Sequence, residues 1–339
     1  MKTARQEKNA VPVLVTGATG FVGQHLARYL LRTGIRPRLL VRDARRLAED
    51  LRMMCDVVTG DITDAATIPA AVVGVEQVFH CAANVHTWDR DDAYFRTNVL
   101  GVQNLLQALA NNGCAVRIVH LSTVDVYGFP ETPCDETCLP TGGDFGYGRS
   151  KWQGEQWLYE FCTRTGIVWT VLRPANIIGP GSQFISRIGD ELRSGLMLLI
   201  DGGHCHAGFV YIDNLLDTML WAMNSEAARG QCYNVRDWYD VSWKEFIYDF
   251  RRAIQGKGWV IDLPYGVADF AARVIANVWQ RVMPDREPLL HPLLVRLFGR
   301  TCGHSVRKLR RDGGLCDAVG YAEALHRSVR WYNETIRPR

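Results

Sequence analysis

Val11-Pro-Val-Leu-Val-Thr16 runs directly into Gly17-Ala-Thr19-Gly20-Phe21-Val22-Gly23, and that junction decides the fold. Its first half is short, β-branched and nearly all apolar, the pattern of a parallel strand buried on both faces. Phe21 to Arg32 then reads as an amphipathic helix with Val22, Leu26, Tyr29 and Leu30 on one side. Glycines between such a strand and helix have separate jobs. One makes the turn, another lets a dinucleotide pyrophosphate approach the backbone, and a third lets helix and strand pack closely. The helix N-terminus adds free N–H donors and the positive end of a dipole. Gly17, Thr19, Gly20, Phe21 and Val22 are therefore candidate contacts to a dinucleotide.

Working outward, similar apolar runs recur at 38–41, 57–59, 78–82, 118–122 and 168–172. Helical patterns fill the gaps at 44–51, 65–72, 93–111 and 147–165, the last two closed by Asn112-Gly113 and Thr165-Gly166. Strands alternating with crossover helices predict an α/β fold, a Rossmann-type doubly wound parallel sheet. After Arg173 the texture changes to Gly179-Pro180-Gly181 and Asp201-Gly202-Gly203, followed by helices rich in aromatic residues and arginine. The expected division is a dinucleotide-binding domain over 1–174, with a return segment near 205–235, and a smaller, mostly helical substrate lobe over 175–339. Within that lobe, residues 264–292 read as one or two amphipathic helices carrying Phe270, Val274, Val278, Trp279 and Val282, most of which are expected in the core.

Composition removes several classes of protein. With 339 residues, 47% of them hydrophobic and 22% charged, the chain is an ordinary globular protein, neither disordered nor collagenous. Lys plus Arg total 39 against 36 for Asp plus Glu; a net charge of +3 is too small to imply nucleic acid or an anionic membrane by itself. The ten cysteines are scattered, as expected of free thiols in a reducing compartment. No apolar h-region follows the N-terminal basic residues, so a cytoplasmic protein is expected. No apolar run approaches the roughly 18 residues a membrane span needs. Pro292 to Phe298 together with Arg307-Lys308-Leu-Arg310-Arg311 leaves a weak peripheral contact open. His204-Cys205-His206 has no second cluster at zinc spacing, and no metal is expected.

The second strand ends in Arg42-Asp43-Ala-Arg45-Arg46, where a dinucleotide's adenosine ribose would lie. An acid there suits the free 2′-hydroxyl of NAD, whereas an Arg pairs with the 2′-phosphate of NADP. Arg42 favours NADP; Asp43, one residue later, keeps NAD open. Tyr147-Gly-Arg-Ser-Lys151 puts a phenol and an ammonium one turn apart on one helix face. A phenol titrates near pH 10, and a neighbouring ammonium is the expected means of favouring its ionised form. This pair follows Leu121-Ser122-Thr123-Val-Asp125-Val-Tyr127-Gly128, at a strand end where open parallel sheets hold their ligands.

Together these motifs resemble the extended short-chain dehydrogenase/reductases, the NAD(P)-dependent epimerase/dehydratase and 3β-hydroxysteroid dehydrogenase clan, over nearly the whole chain. Thr16 to Gly23 resembles that family's TGxxGxxG. Gly60-Asp61-Ile62-Thr63-Asp64 is similar to its GDxTD turn, which implies that Asp61 and Ile62 hold the adenine. His80-Cys81-Ala82-Ala83 resembles the strand end beside the ribose, and Asn98 an asparagine of the fourth helix. The resemblance implies Thr123 as the catalytic hydroxyl, with Ser122 as the fallback and a cofactor contact. It implies Tyr147 as proton donor or acceptor, and Lys151 as the group that lowers the phenol pKa and grips the nicotinamide ribose. Pro174, Asn176 and Ile177 resemble the nicotinamide-side loop, and the two long helices imply a homodimer.

Three functions fit. The first is a dehydrogenase or ketoreductase of a hydrophobic, sterol-like or β-keto small molecule. Residues 284–301, Ser305 to Lys308 and Gly320-Tyr321 resemble the hydroxysteroid branch, and Trp259, Phe270, Trp279 and Leu294 are candidate walls of an apolar cavity. The second is a nucleotide-sugar 4-epimerase or dehydratase, favoured by Asn176. It is disfavoured because Ala207 or Gly208 stands where the sugar enzymes place an arginine. The third, a non-catalytic NADP-binding regulator, is disfavoured by the intact Thr123, Tyr147 and Lys151.

Overall fold

The computed structural model describes residues 12–113, 115–283 and 286–335. Eleven strands are present among them: β1 (Val13–Thr16), β2 (Arg38–Val41), β3 (Asp56–Thr59), β4 (Gln77–His80), β5 (Arg117–Leu121), β6 (Val168–Pro174), β7 (Asn176–Ile178), β8 (Leu196–Ile200), β9 (Phe209–Tyr211), β10 (Gln231–Val235) and β11 (Trp259–Leu263). Seven form one sheet in the order β10-β6-β5-β4-β1-β2-β3, every pair parallel. From β1 the chain winds one way to β2 and β3, and from β4 the other way to β5 and β6. The reversal leaves a crevice at the carboxyl ends of β1 and β4, the place where such sheets take ligands. Val11, the start of the expected first strand, lies outside the described residues.

The crossover helices are α1 (Phe21–Arg32), α2 (Glu49–Met54), α3 (Pro69–Val72), α4 (Asp91–Phe95), α5 (Gly101–Asn111) and α6 (Gly146–Thr165). The first turn after β2 is a 3-10 turn capped by Asp43, so the helix expected from residue 44 begins five residues later, at Glu49. A π-helical turn over Arg96–Leu100 joins α4 to α5, and it contains Asn98; such bulges concentrate at functional sites. The sheet is covered on both faces. Leu14, Val78, Ile118 and Val171 meet α5 and α6 on one side, and Val15, Phe79, Val119 and Leu172 meet α1 and the elements after β7 on the other.

The remaining helices are α7 (Gln183–Ser194), α8 (Ile212–Asn224), α9 (Trp243–Ala253), α10 (Tyr265–Val282), α11 (Pro292–Gly299), α12 (Arg307–Arg311) and α13 (Tyr321–Thr335). Of these, α8 packs against α1, β5 and β6 and α12 against β10 of the large sheet, while two small parallel sheets, β7 with β9 and β8 with β11, lie among the others, so this part of the chain is less purely helical than its sequence suggests. Two expectations are corrected here. Phe270, Val274, Val278 and Val282 point to solvent, and α10 instead buries Ala268, Ala272 and Ala276, because the stripe packed on the lobe is the alanine one. Pro292 to Phe298, read as a candidate membrane contact, turns Leu293, Leu294 and Val295 inward. The basic run behind it is also engaged: Lys308 Nζ donates to the Cys232 carbonyl at 2.8 Å, and Arg310 lies over the Trp238 ring. Among the described residues, no helix is long and apolar enough to cross a membrane, and the nine cysteines there are free.

Candidate active site

The glycine turn is built around close backbone approaches. Gly17 has a φ of +74°, and a Cβ on it would lie 2.7 Å from the Ala82 nitrogen; on Gly23 it would lie 2.3 Å from the Gly17 carbonyl oxygen. Only glycine tolerates both the left-handed backbone and those contacts. Thr16 Oγ1 sits 2.7 Å from His80 Nδ1 and accepts from the Ala82 N–H at 3.2 Å, locking the β1 and β4 tips beside the crevice. At the β2 tip, Asp43 is committed: it caps the following turn and takes two side-chain bonds from Arg45, each at 3.0 Å. Arg42 is exposed and makes no hydrogen bond or ion pair among the described residues. Free cation and occupied carboxylate are the arrangement that fits a ribose 2′-phosphate.

The other expected cofactor residues fall into two groups. Cys81, Ala82 and Ala83 line the end of β4, half-buried, at the crevice. Asp61 spends one carboxylate oxygen on its own turn, accepting from Thr63 N–H at 2.9 Å and Thr63 hydroxyl at 3.0 Å. Ile62 is buried against Gly101. Asn98 is also buried; its amide donates to the Asn84 carbonyl (3.0 Å) and Ser150 Oγ (2.9 Å) while accepting from Asn84 N–H (2.8 Å). Its polar atoms thus fasten the loop after β4 to α6, next to Lys151. Pro174 ends β6, and Asn176 and Ile177 open β7; Asn176 donates its amide to the Ala207 carbonyl at 2.6 Å.

Thr123, Tyr147 and Lys151 come together at the carboxyl end of β5. Thr123 caps the 3-10 turn over Val124–Tyr127, accepting from Asp125 N–H at 3.2 Å. Its hydroxyl lies near the Tyr147 phenol and the Asp125 carboxyl and favours the ionised form of each. Ser122 points elsewhere: its hydroxyl donates to Glu155 behind the site. Two adjacent hydroxyls on an extended strand end face opposite ways, which separates Thr123 from its neighbour. Lys151 is buried and its ammonium donates to the Leu121 carbonyl at 2.7 Å. Burial lowers its pKa to about 8.

The electrostatics differ from the expectation for the phenol. Burial and the Asp125 carboxylate raise the Tyr147 pKa, against a lowering from the Thr123 hydrogen bond. The Lys151 ammonium is turned to Leu121 and does not reverse that rise. Asp125 was not among the expected site residues. It lines an adjacent cavity, and burial pushes its pKa up to about 6. Its place two positions after Thr123, inside a one-turn helix, was the available clue.

A cavity of about 350 Å³ opens beside these groups, walled by Asp125, Phe129, Asn176, Gly208, Leu297 and Cys302 among others. The aromatic walls expected from the sequence are elsewhere: Trp259 and Phe270 are 77% and 71% exposed, and Leu294 lines a second cavity between β8 and α11. Ala207 and Gly208 bring no cation to the first cavity. Its one arginine, Arg300, is held by Asp201 at 3.3 Å and stacked on Tyr265.

A parallel sheet with a glycine cradle at its reversal and a Tyr–Lys helix beside it defines an NAD(P)-dependent oxidoreductase. The sequence profile of the NAD dependent epimerase/dehydratase family matches residues 13–235, and the chain belongs to that family. It is 34% identical to the sterol demethylase protein B of Methylococcus capsulatus, over 95% of this chain and 98% of that one. It is 28% identical to a 4-hydroxy-2-methyl-3-oxo-4-farnesyl-3,4-dihydroquinoline-1-oxide ketoreductase of Stigmatella aurantiaca, over 92% and 93% of the two chains. Among solved structures, MoeE5 in complex with UDP-glucose and NAD superposes with a TM-score of 0.77 at 22% identity, covering 96% of this chain and all of that one.

Proposed function

We propose that this protein is an NADPH-dependent ketoreductase of a hydrophobic ring ketone or β-keto compound, with Thr123, Tyr147 and Lys151 as its catalytic residues. The observation that carries this reading is the nearness of the Thr123 hydroxyl to the Tyr147 phenol, beside a cavity that Asp125, Phe129 and Leu297 help to line. The raised phenol pKa keeps Tyr147 protonated at neutral pH, the form that donates to a ketone oxygen as negative charge develops on it. Thr123 orients that oxygen. Lys151, fixed against Leu121, offers its remaining N–H groups to a ribose. Gly17, Gly20 and the start of α1 would hold the pyrophosphate, and Arg42 the 2′-phosphate. A bound dinucleotide supplies the hydride. The two relatives above, a ketoreductase of a farnesylated ring and a sterol demethylase protein, support a lipid-like substrate.

The nucleotide-sugar epimerase reading ranks lower. The cavity has no free cation to meet a diphosphate, since Arg300 is spent on Asp201 and Tyr265, and Asn176 on Ala207. The test is a panel of sterol ketones, β-keto esters and UDP-sugars assayed by absorbance at the nicotinamide band. Net NADPH oxidation with the ketones is expected. Epimerisation of a UDP-sugar with no net change in the dinucleotide would replace the proposal.

A further inference from the structure

α10 is amphipathic in the reverse of the usual sense. Its buried stripe is Ala268, Ala272 and Ala276, whereas Val267, Phe270, Val274, Val278 and Val282 stand 47–71% exposed along the opposite side. Residues 3 and 4 apart share a helix face, so these five form one continuous apolar stripe about four turns long. The charged residues exposed with it are Arg273 and Arg281. The acid of this helix, Asp269, lies at the flank with only 18% of its side chain exposed, bound to Arg273 at 2.7 Å. Leu263 of β11 packs under α10, and alternation along the strand puts Ile261 and Trp259 on that same sheet face, where both protrude. α10 in turn rests on α11, whose Leu297 lines the cavity beside Thr123.

We infer that this face is a membrane-docking surface, and that its occupant is a bilayer carrying anionic headgroups. Charge decides between the candidates. A second copy docked isologously would bring the Arg281 side chains of two identical stripes onto a face where, among the described residues, the nearby carboxylate of Asp269 is already paired with Arg273. A layer of anionic headgroups complements them, while valines, a phenylalanine and an exposed indole enter the acyl boundary. The docked helix then holds the α11 wall of the cavity near the phase in which a lipid-like ketone dissolves. The inference about docking does not require the substrate assignment, and its readouts involve no turnover.

The full chain is sedimented with phosphatidylcholine vesicles, with and without phosphatidylglycerol, and its mass in free solution is measured by analytical ultracentrifugation. The wild type is expected to pellet with the mixed vesicles and to be released by salt. Phe270→Glu with Val278→Glu is expected to stay in the supernatant with an unchanged circular dichroism spectrum, both positions being on the surface. Arg273→Gln and Arg281→Gln each weaken binding to the anionic vesicles roughly fivefold and leave binding to neutral vesicles unchanged. Wild type remaining in the supernatant with both vesicle types overturns the inference, as does equal pelleting of the Glu variant. So does a wild-type dimer that the Glu variant turns into monomers in the absence of vesicle binding, which assigns the face to a second copy.

Discussion

The carboxylate of Glu155 receives the guanidinium of Arg173 from two sides, Nη2 at 2.6 Å and Nε at 3.1 and 3.2 Å from its two oxygens, with both side chains closed to solvent. The same carboxylate accepts the hydroxyls of Ser122 and Tyr159, and Arg173 Nη1 donates to the Tyr127 oxygen at 2.8 Å. Glu155 lies one helical turn beyond Lys151. The pair therefore ties α6, the end of β5 and the end of β6 into one unit.

Breaking that pair leaves an uncompensated buried charge. Glu155→Gln is expected to lower the unfolding free energy by about 3–5 kcal/mol, read from urea denaturation. Glu155→Gln combined with Arg173→Met is expected to recover part of the loss, since no lone guanidinium remains inside. Equal stability of wild type and the single variant would show that the pair contributes little.

Tyr147→Phe keeps the ring and removes the proton donor. Turnover is expected to fall by about 10² to 10⁴, with dinucleotide affinity, measured by fluorescence titration, almost unchanged. Retained turnover would move the proton transfer to another group.

The proposed preference for NADPH rests on Arg42, because Asp43 is already paired with Arg45. Arg42→Ala is expected to weaken NADPH binding by about 1.5–3 kcal/mol, the range for a hydrogen bond to a charged group, and to leave NADH binding as it was. Isothermal titration with both dinucleotides checks this, and an equal loss for the two would assign Arg42 to some other part of the molecule.

Asp125 gives a pH dependence with a definite sign. Its pKa is raised to about 6, so near neutrality it is ionised, and its negative charge opposes loss of the Tyr147 proton. In the direction of alcohol oxidation, where the phenolate accepts a proton, the rate is expected to climb with pH. Asp125→Asn removes the opposing charge and shifts that limb to lower pH. For ketone reduction the fall at high pH moves the same way. A pH–rate profile identical to wild type would take Asp125 out of the electrostatics of the phenol.

Much of this was legible from local patterns. The strand-to-helix turn at Gly17 to Gly23, the apolar runs of the sheet and the Tyr147–Lys151 spacing each depend on a few consecutive residues, so their meaning survives without the rest of the chain. The α10 region shows where such reading stops. Its sequence reveals stripes at helical spacing, but period alone does not say whether valine or alanine finds a partner, and here the lobe took the alanines. The same holds at Ser122 and Thr123, adjacent hydroxyls that only a distant carboxylate, Glu155, tells apart.

By itself the sequence determined the wound sheet, the glycine cradle and the helix that carries phenol and ammonium, because backbone geometry and side-chain period are properties of short segments. Tertiary structure alone decided that Lys151 turns to Leu121, that the Asp125 carboxylate acts on the Tyr147 phenol, that Asp43 is spent on a neighbour, and that a valine stripe faces outward. Those outcomes depend on burial and on partners many residues away, and desolvation and pairing exist only once the chain has closed around them.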